Sequence, residues 1–346
     1  MRTVVVSDLH IGSLLERDVL RRPEALEALV AEVELSDRLV LLGDTIELLE
    51  GRARQAAAAT RPVLSALGRA VGPDATVTVV PGNHDHTLIR AWLGRQLQAG
   101  RAIPVDAQVP RSASTLLSEM TSWLEPANVE VRYPGLWIAD GVFATHGHYC
   151  DRHLLDATRR NLSDGGRATV ADYERAPGTD EGSAAQALEA RFPDFEAFVG
   201  AEKAVDQFRR GVLGALGRVA EVPGARLFAD GASLVMEQGL HRRAAIPGMA
   251  KAARRLGIES RYLIFGHIHR RGPLPDDPGG MWRPDTNGPQ LINTGSWVYD
   301  SALIGMPTGR PRSYRPGGAV IVEDGAPPRC IDLLAEVPDS ALRGKV

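Results

Sequence analysis

Five short polar motifs follow apolar runs along this chain, and together they carry the side chain types that bind divalent metal ions. Carboxylate and amide oxygens mixed with imidazole nitrogens suit Mn²⁺, Fe²⁺, Zn²⁺ or Co²⁺, whereas a structural zinc site would use thiolates. One such motif could arise by chance, but five in this order predict a metal centre. The motifs are Asp8-Leu9-His10, Gly43-Asp44, Gly82-Asn83-His84-Asp85, His146-Gly147-His148 and Gly266-His267-Ile268-His269.

Each motif follows a segment that is predicted to be a buried strand. Residues 3–7, 38–42 and 75–80 are apolar runs closed by turn residues, and helical patterns at 24–33 and 60–71 lie between them. This alternation predicts βαβ units with a largely parallel sheet. Ligands of such sheets collect beyond the carboxyl ends of the strands. We therefore expect seven side chains to converge there: Asp8, His10, Asp44, Asn83, His146, His267 and His269.

The later strands of the chain carry hairpin signals. Residues 136–146 flank Asp140-Gly141, and residues 319–333 flank Asp324-Gly325, both of which are two-residue hairpin turns. Further short strands are predicted at 262–265 and 290–293, and we expect these late strands to be antiparallel.

Residues 151–257 differ from the rest because they show helical periodicity and no convincing strand. We predict that they form a helical insertion that acts as a cap or lid. The core would then consist of residues 1–150 and 258–346, which together with the insertion make one catalytic domain of mixed α/β architecture.

Composition and charge argue against several classes of protein. The net charge of −3 is unlike that of a dedicated nucleic-acid binder, although nucleic acid stays open as a substrate. No uncharged apolar stretch approaches 18 residues, so no membrane span is expected. Cys150 and Cys330 fit two free thiols, and the N-terminus has no signal peptide, so we expect a cytoplasmic protein. The oligomeric state cannot be predicted from these features.

The motif set resembles the calcineurin-like metallophosphoesterase family, and the resemblance runs from Asp8 to His269. It implies a four-layer αββα sandwich. It also implies two divalent metal ions, with manganese as the first expectation and iron, zinc, cobalt or magnesium as alternatives. The ligand sets that it implies are Asp8, His10 and His269 for one ion and Asn83, His146 and His267 for the other, with Asp44 bridging.

Other residues near the motifs have roles that the resemblance or the spacing suggests. The resemblance implies that His84 protonates the leaving oxygen or stabilises the transition state, and that Asp85 orients the His84 ring. His148 either contacts phosphate or only lines its loop. Arg152 either holds a substrate anion or forms a surface salt bridge. Glu47 could reach the site, but we favour an acid at a helix N-terminus.

The resulting hypothesis is a dinuclear metal-dependent phosphohydrolase that acts on a phosphorylated small molecule. Metal-bound hydroxide would attack the phosphorus of a phosphomonoester or phosphodiester in line. One alternative is hydrolysis of a pyrophosphate bond in a nucleotide-linked substrate such as a UDP-sugar lipid. An alternative of another class is a non-catalytic scaffold of the same fold, which is disfavoured because all seven ligand positions and His84 are present.

Overall fold

The computed structural model describes residues 1–13, 16–50, 52–153, 166–175, 245–300, 304 and 313–343. Within this part of the chain, ten strands form one hydrogen-bonded sheet with the order β10-β9-β1-β2-β3-β5-β6-β7-β8, and β4 pairs with β5. The strands are β1 (Arg2–Val6), β2 (Arg38–Leu42), β3 (Thr76–Val80), β4 (Asp106–Gln108), β5 (Asn128–Ala139), β6 (Val142–Thr145), β7 (Tyr262–Phe265), β8 (Gln290–Asn293), β9 (Gly318–Glu323) and β10 (Arg329–Asp332).

The first three strands are parallel to one another and to the first half of β5. In each of β1, β2 and β3 every residue after the first is buried, which agrees with the continuous apolar runs expected of a parallel sheet covered on both faces. The strands predicted at 3–7, 38–42 and 75–80 are thus confirmed. Their parallel direction brings the three motifs that follow them to the same edge of the sheet.

Strand β5 belongs to both halves of the sheet. Its residues 128–131 pair with β3, whereas residues 135–139 pair in antiparallel fashion with β6. The two predicted hairpins are confirmed, since β5–β6 and β9–β10 are antiparallel pairs joined at the predicted turns.

The antiparallel direction expected for β7 and β8 is wrong. Strand β7 runs parallel to β6, and β8 runs parallel to β7. The physical reason is the length of the connections, because the segments 146–261 and 266–289 are long enough for the crossovers that parallel neighbours require.

The described helices cover the sheet and the loops at its edges. The helix predicted at 24–33 is confirmed, and the helix predicted at 60–71 begins earlier than expected, in an alanine-rich stretch. Short 3₁₀ helices occur at Val19–Arg21, His86–Leu88, Arg111–Ala113 and His148–His153. The α-helices are α1 (Pro23–Val33), α2 (Ala53–Val71), α3 (Arg90–Gln98), α4 (Thr115–Ser122), α5 (Val170–Arg175), α6 (Ile246–Arg255) and α7 (Asp339–Leu342).

Three clusters of buried apolar side chains hold these elements together. The first packs α1 and α2 on β1, β2 and β3. The second packs α6 on β6 and β7 and includes Met249, Phe143 and Phe265. The third joins side chains from the two halves of the sheet, such as Val40 and Ile264. The fold is therefore a mixed α/β structure built on a large sheet.

The predicted insertion is described only in part. Helices α5 and α6 come from it, and side chains of α6 belong to the second apolar cluster. Residues 154–165 and 176–244 lie outside the described residues. No helix in the described part of the chain combines the length and apolar character that a membrane-spanning segment needs.

The first apolar cluster provides a test of the fold. Leu29 in α1 is fully buried, so we expect Leu29→Ala to lower the free energy of unfolding by roughly 2–5 kcal/mol through loss of contacts and an unfilled cavity. Urea denaturation measures this. Leu35, just beyond the same helix, is 69% exposed, and Leu35→Ala should change the stability by less than about 0.5 kcal/mol. Equal effects of the two substitutions would contradict the packing of α1.

Candidate metal centre

The five motifs lie at the carboxyl ends of β1, β2, β3, β6 and β7, and backbone hydrogen bonds tie their loops together. The Asp8 amide donates to the Gly43 carbonyl at 3.1 Å, and the His10 amide donates to the Asp44 carbonyl at 2.8 Å. On the other side, the Gly266 amide donates to the His146 carbonyl at 2.8 Å. The loops therefore form one connected rim that fixes the positions of the side chains.

Positive φ angles at residues other than glycine are concentrated in this rim. Six non-glycine residues of the described chain have a positive φ angle, and five of them are candidate metal ligands in the rim: Asp8, His10, Asp44, His267 and His269. Residues other than glycine rarely adopt this conformation, and it is retained mainly where the surrounding structure enforces it at a functional site.

One group of candidate ligands consists of Asp8, His10 and His269, whose ligand atoms lie within 4.8 Å of one another. The His269 Nε2 atom is 3.3 Å from Asp8 Oδ1 and 3.2 Å from His10 Nε2. The Asp8 side chain also accepts hydrogen bonds from the His267 amide and the Ser7 hydroxyl. This carboxylate is fully buried and held in one orientation.

A second group consists of Asp44, His146 and His267, with Asn83 beside it. The His146 Nε2 atom is 3.1 Å from Asp44 Oδ2 and 3.0 Å from Asn83 Oδ1. On the other side of the ring, His146 Nδ1 donates to the Leu42 carbonyl at 3.0 Å. Because a carbonyl oxygen only accepts, this bond places the proton on Nδ1 and leaves Nε2 as the nitrogen for a metal ion.

Asp44 lies between the two groups. Its Oδ2 atom is 3.1 Å from His146 Nε2 and 3.7 Å from His10 Nε2, and its Oδ1 atom accepts a 2.8 Å hydrogen bond from the His84 amide. Asp44 therefore lies near one histidine ring of each candidate group, which is the position required of a bridging carboxylate.

The chemistry of these donors fits divalent cations. Burial opposes ionisation of Asp44, but the nearby His146 ring outweighs it and holds the pKa of this carboxyl well below its usual range. Burial likewise opposes a charged His146 ring, whereas Asp44 raises the pKa of His146 to about 9. The pocket thus stabilises positive charge against Asp44, and a cation that binds there must displace the proton on the ring.

A family model describes this part of the chain. The model of the calcineurin-like phosphoesterase family matches residues 1–181. The chain belongs to the calcineurin-like phosphoesterase family. Members of this family are metal-dependent hydrolases that act on phosphoric ester bonds, so this phosphoesterase is a hydrolase of that class. A search among curated proteins found no match.

The structure of this phosphoesterase contradicts the role that we favoured for Glu47, which was an acid at a helix N-terminus. It lies in a loop rather than at a helix N-terminus, and it is 1% exposed. Its Oε2 atom accepts from His10 Nδ1 and from His84 Nδ1, both at 2.8 Å. Burial disfavours its charge, but the bonds from the two rings hold the pKa of Glu47 below its usual range. One carboxylate therefore orients both a candidate ligand and His84.

Asp85 does not have the expected role of orienting the His84 ring. Its Oδ1 atom accepts from the Gly82 amide at 2.6 Å, and its Oδ2 atom accepts from the Thr45 amide at 2.8 Å. The carboxylate points back toward the loops after β2 and β3 and joins them. Asp85 therefore stabilises the rim by joining these two loops, and it is Glu47 that orients the His84 ring.

The substrate contacts expected for His148 and Arg152 stay predictions, because the described contacts of these side chains are with other parts of the protein. The His148 ring lies beside those of His146 and His267, and burial and these rings hold the pKa of His148 well below its usual range. Burial and the neighbouring rings thus disfavour a positive charge on His148. Arg152 donates to the Asp172 carbonyl at 3.0 Å and stacks over Tyr173, so neither proposed role is seen.

Asp151 is a contact of the site that we did not assign from the sequence. Its Oδ2 atom is 2.9 Å from His267 Nε2. Metal-binding histidines commonly donate their second ring N–H to a carboxylate in this way. The signal in the sequence was weak, because Asp151 follows His146 by five residues and its partner lies far along the chain.

The segment after β8 closes the rim. Asn293 donates to the Gly266 carbonyl at 2.6 Å, and the Trp297 amide donates to the Asp8 carbonyl at 3.0 Å. Gly266 itself passes so close to Asp8 that a Cβ atom would overlap the Asp8 carboxylate. The small residue is therefore required by the close approach of the β1 and β7 loops.

The shared Glu47 carboxylate gives a testable prediction. Glu47→Gln keeps the shape but removes the negative charge and turns one oxygen into an NH₂ donor. That donor must face either the two rings or the backbone amides of Leu49 and Glu50, so the residue cannot hold both rings as Glu47 does. We expect the affinity for Mn²⁺ to fall about 10–100-fold, as measured by titration calorimetry of the metal-stripped protein. Glu27 on α1 is exposed, and Glu27→Gln is the matched control. An unchanged Mn²⁺ affinity in Glu47→Gln would show that Glu47 does not support the site.

Proposed function

We propose that this chain is a dinuclear phosphohydrolase that cleaves phosphate esters. Asp8, His10 and His269 would hold one divalent ion, Asn83, His146 and His267 would hold the other, and Asp44 would bridge them. The observation that supports this most directly is the position of Asp44 Oδ2, which is near the Nε2 atoms of both His10 and His146.

Different groups of the site would contribute to different parts of the hydrolysis reaction. When bound, two divalent ions stabilise charge on the phosphoryl oxygens and make water more acidic. The rim loops hold the ligand atoms in place before substrate binds, so little reorganisation is needed during the reaction. Hydrolysis forms a bond from phosphorus to the oxygen of water and breaks the bond to the alcohol oxygen, which must receive a proton.

We infer that His84 supplies this proton. Glu47 holds the ring through Nδ1, so proton transfer falls to Nε2. The Glu47 carboxylate also stabilises the charged ring, which keeps the proton available until the alcohol oxygen departs. Asp85 contributes by fixing the loops after β2 and β3 on either side of His84.

Manganese is the proposed ion, because the seven proposed ligands combine carboxylate and amide oxygens with imidazole nitrogens and include no thiolate. We also infer that the core has the four-layer αββα arrangement of the family. The support is the order of the apolar clusters, in which helices pack on each half of the sheet and the third cluster lies between the halves. Residues outside 1–150 and 258–346 would form the cap, apart from α6.

Two substitutions separate catalysis from metal binding. His84→Ala should abolish hydrolysis of p-nitrophenyl phosphate in the presence of Mn²⁺ and yet keep the metal content of the wild type. Asp44→Asn should abolish hydrolysis and lose at least one ion per chain. Activity assays and elemental analysis by mass spectrometry measure both. Asp74 is exposed, so Asp74→Asn is the control. Full activity in both variants would refute the proposed function.

The contact between Asp151 and His267 predicts a smaller effect on one ion. Asp151→Asn can no longer accept the ring proton of His267 as a carboxylate, so the second ion should bind about 10–100-fold more weakly while the first keeps its affinity. Calorimetric titration with Mn²⁺ resolves the two steps. The exposed Asp276 gives the control Asp276→Asn. Two unchanged binding steps would mean that Asp151 has no influence on the metal centre.

A further inference from the structure

A cavity of about 250 Å³ opens directly beside the candidate metal ligand Asn83. One wall comes from α3, whose residues Arg90, Leu93, Gly94 and Leu97 line it. These positions are spaced by three and four residues, so they lie on one face of the helix. The helix follows the Asn83 loop closely in sequence, so the wall is connected to the metal centre by a short stretch of chain.

Another part of the cavity wall is polar. Glu174 of α5 lines the cavity, and its carboxylate accepts hydrogen bonds from the hydroxyl groups of Tyr133 and Tyr149. The other carboxylate oxygen is 3.2 Å from His86 Nε2, and the Glu174 side chain is only 2% exposed. Since three protein groups already engage Glu174, its charge is balanced within the protein.

The cavity also has an apolar surface and a positively charged side chain, Arg90, in its lining. Leu49, Leu93 and Leu97 supply the apolar surface. Arg90 is exposed, and its guanidinium forms no hydrogen bond or ion pair with any described residue. An apolar cavity of roughly 150 Å³ can hold benzene, so the space here is enough for about one ring with a substituent.

We propose that this cavity binds the alcohol part of the substrate and selects phosphate esters of a single-ring, apolar alcohol that carries an anionic substituent. The inference rests on the proposed function, because it places the phosphate at the metal centre next to Asn83. The leucines contact the ring, and Arg90 pairs with the anionic substituent.

A second, larger cavity of about 440 Å³ is not the proposed site, because it lies at the amino ends of β1, β2 and β3 and no candidate metal ligand lines it.

Gly94 allows the cavity to be filled without disturbing the fold. A Cβ atom at this position would meet no other atom within 4 Å, and the residue has an ordinary helical backbone. Gly94→Phe should therefore occupy the space of the ring, whereas Gly94→Ala adds only a methyl group and is the matched control. Both replace a glycine in a helix, so neither should destabilise α3.

The test compares phenyl phosphate with methyl phosphate as substrates in the Mn²⁺-loaded protein. In the wild type and in Gly94→Ala, KM should be about tenfold lower for phenyl phosphate. In Gly94→Phe this preference should disappear, with the metal content and the activity on methyl phosphate unchanged. Equal KM values in the wild type, or a preference that persists in Gly94→Phe, would overturn the proposal.

Measuring the binding of phosphonates tests the cavity independently of whether the protein hydrolyses phosphate esters. Phenylphosphonate cannot be hydrolysed, so its affinity can be measured by calorimetry even in an inactive protein. If the wild type hydrolyses neither ester but binds phenylphosphonate more tightly than methylphosphonate, and Gly94→Phe removes the difference, the cavity is supported and the proposed function fails. Equal affinities of the wild type for the two phosphonates would refute the cavity.

The role of Arg90 has its own measurement. The wild type should bind 4-carboxyphenylphosphonate about tenfold more tightly than phenylphosphonate, and Arg90→Gln should remove this gain without weakening phenylphosphonate. Arg95 is an exposed arginine on the same helix that does not line the cavity, so Arg95→Gln is the control. The same gain in wild type and Arg90→Gln would contradict an anionic substituent at Arg90.

Discussion

The metal centre depends on loop residues that are held in a left-handed backbone conformation. Asp8, His10, Asp44, His267 and His269 all have φ between 43° and 69°. Each such residue costs about 1–2 kcal/mol relative to the usual conformations. The loops adopt them because the parallel strands and the hydrogen bonds between loops fix both ends of each turn. The stability of the sheet thus offsets the strain of the site, and the ligand atoms are positioned before any ion binds.

A second constraint is the sharing of buried carboxylates. Asp44 contacts the rings of His10 and His146, and Glu47 joins His10 to His84. Because one oxygen of each carboxylate lies near two rings, a movement of one ring changes the surroundings of the other. His84, the proposed proton donor, is in this way coupled to the candidate ligand His10 through a single oxygen atom of Glu47, so a shift of one ring affects the other.

Local sequence patterns were sufficient for the parts of the fold that have short-range causes. Strands β1, β2 and β3 follow from apolar runs, and both hairpins follow from their turn residues. The direction of β7 and β8 depends on long connections, which carry no local signal. Glu47 and Asp85 both differ from their expected roles because the direction of a side chain beyond a turn depends on tertiary contacts. The bridge between Ile11 and Ile46 brings Glu47 under His10.

The metal centre and the neighbouring cavity are built from different elements. All candidate ligands lie on loops after strands, whereas most of the cavity wall comes from α3 and Glu174 of α5. Leu49, Asn83 and His86 complete the wall. Glu174 is engaged by Tyr133 and by His86, so α5 is anchored to the core beside the site. Substitutions on the exposed face of the cavity, such as at Gly94, can therefore alter which alcohol is accepted while the ligand loops keep their geometry. Selectivity and hydrolysis are physically separable in this arrangement, although they meet at Asn83.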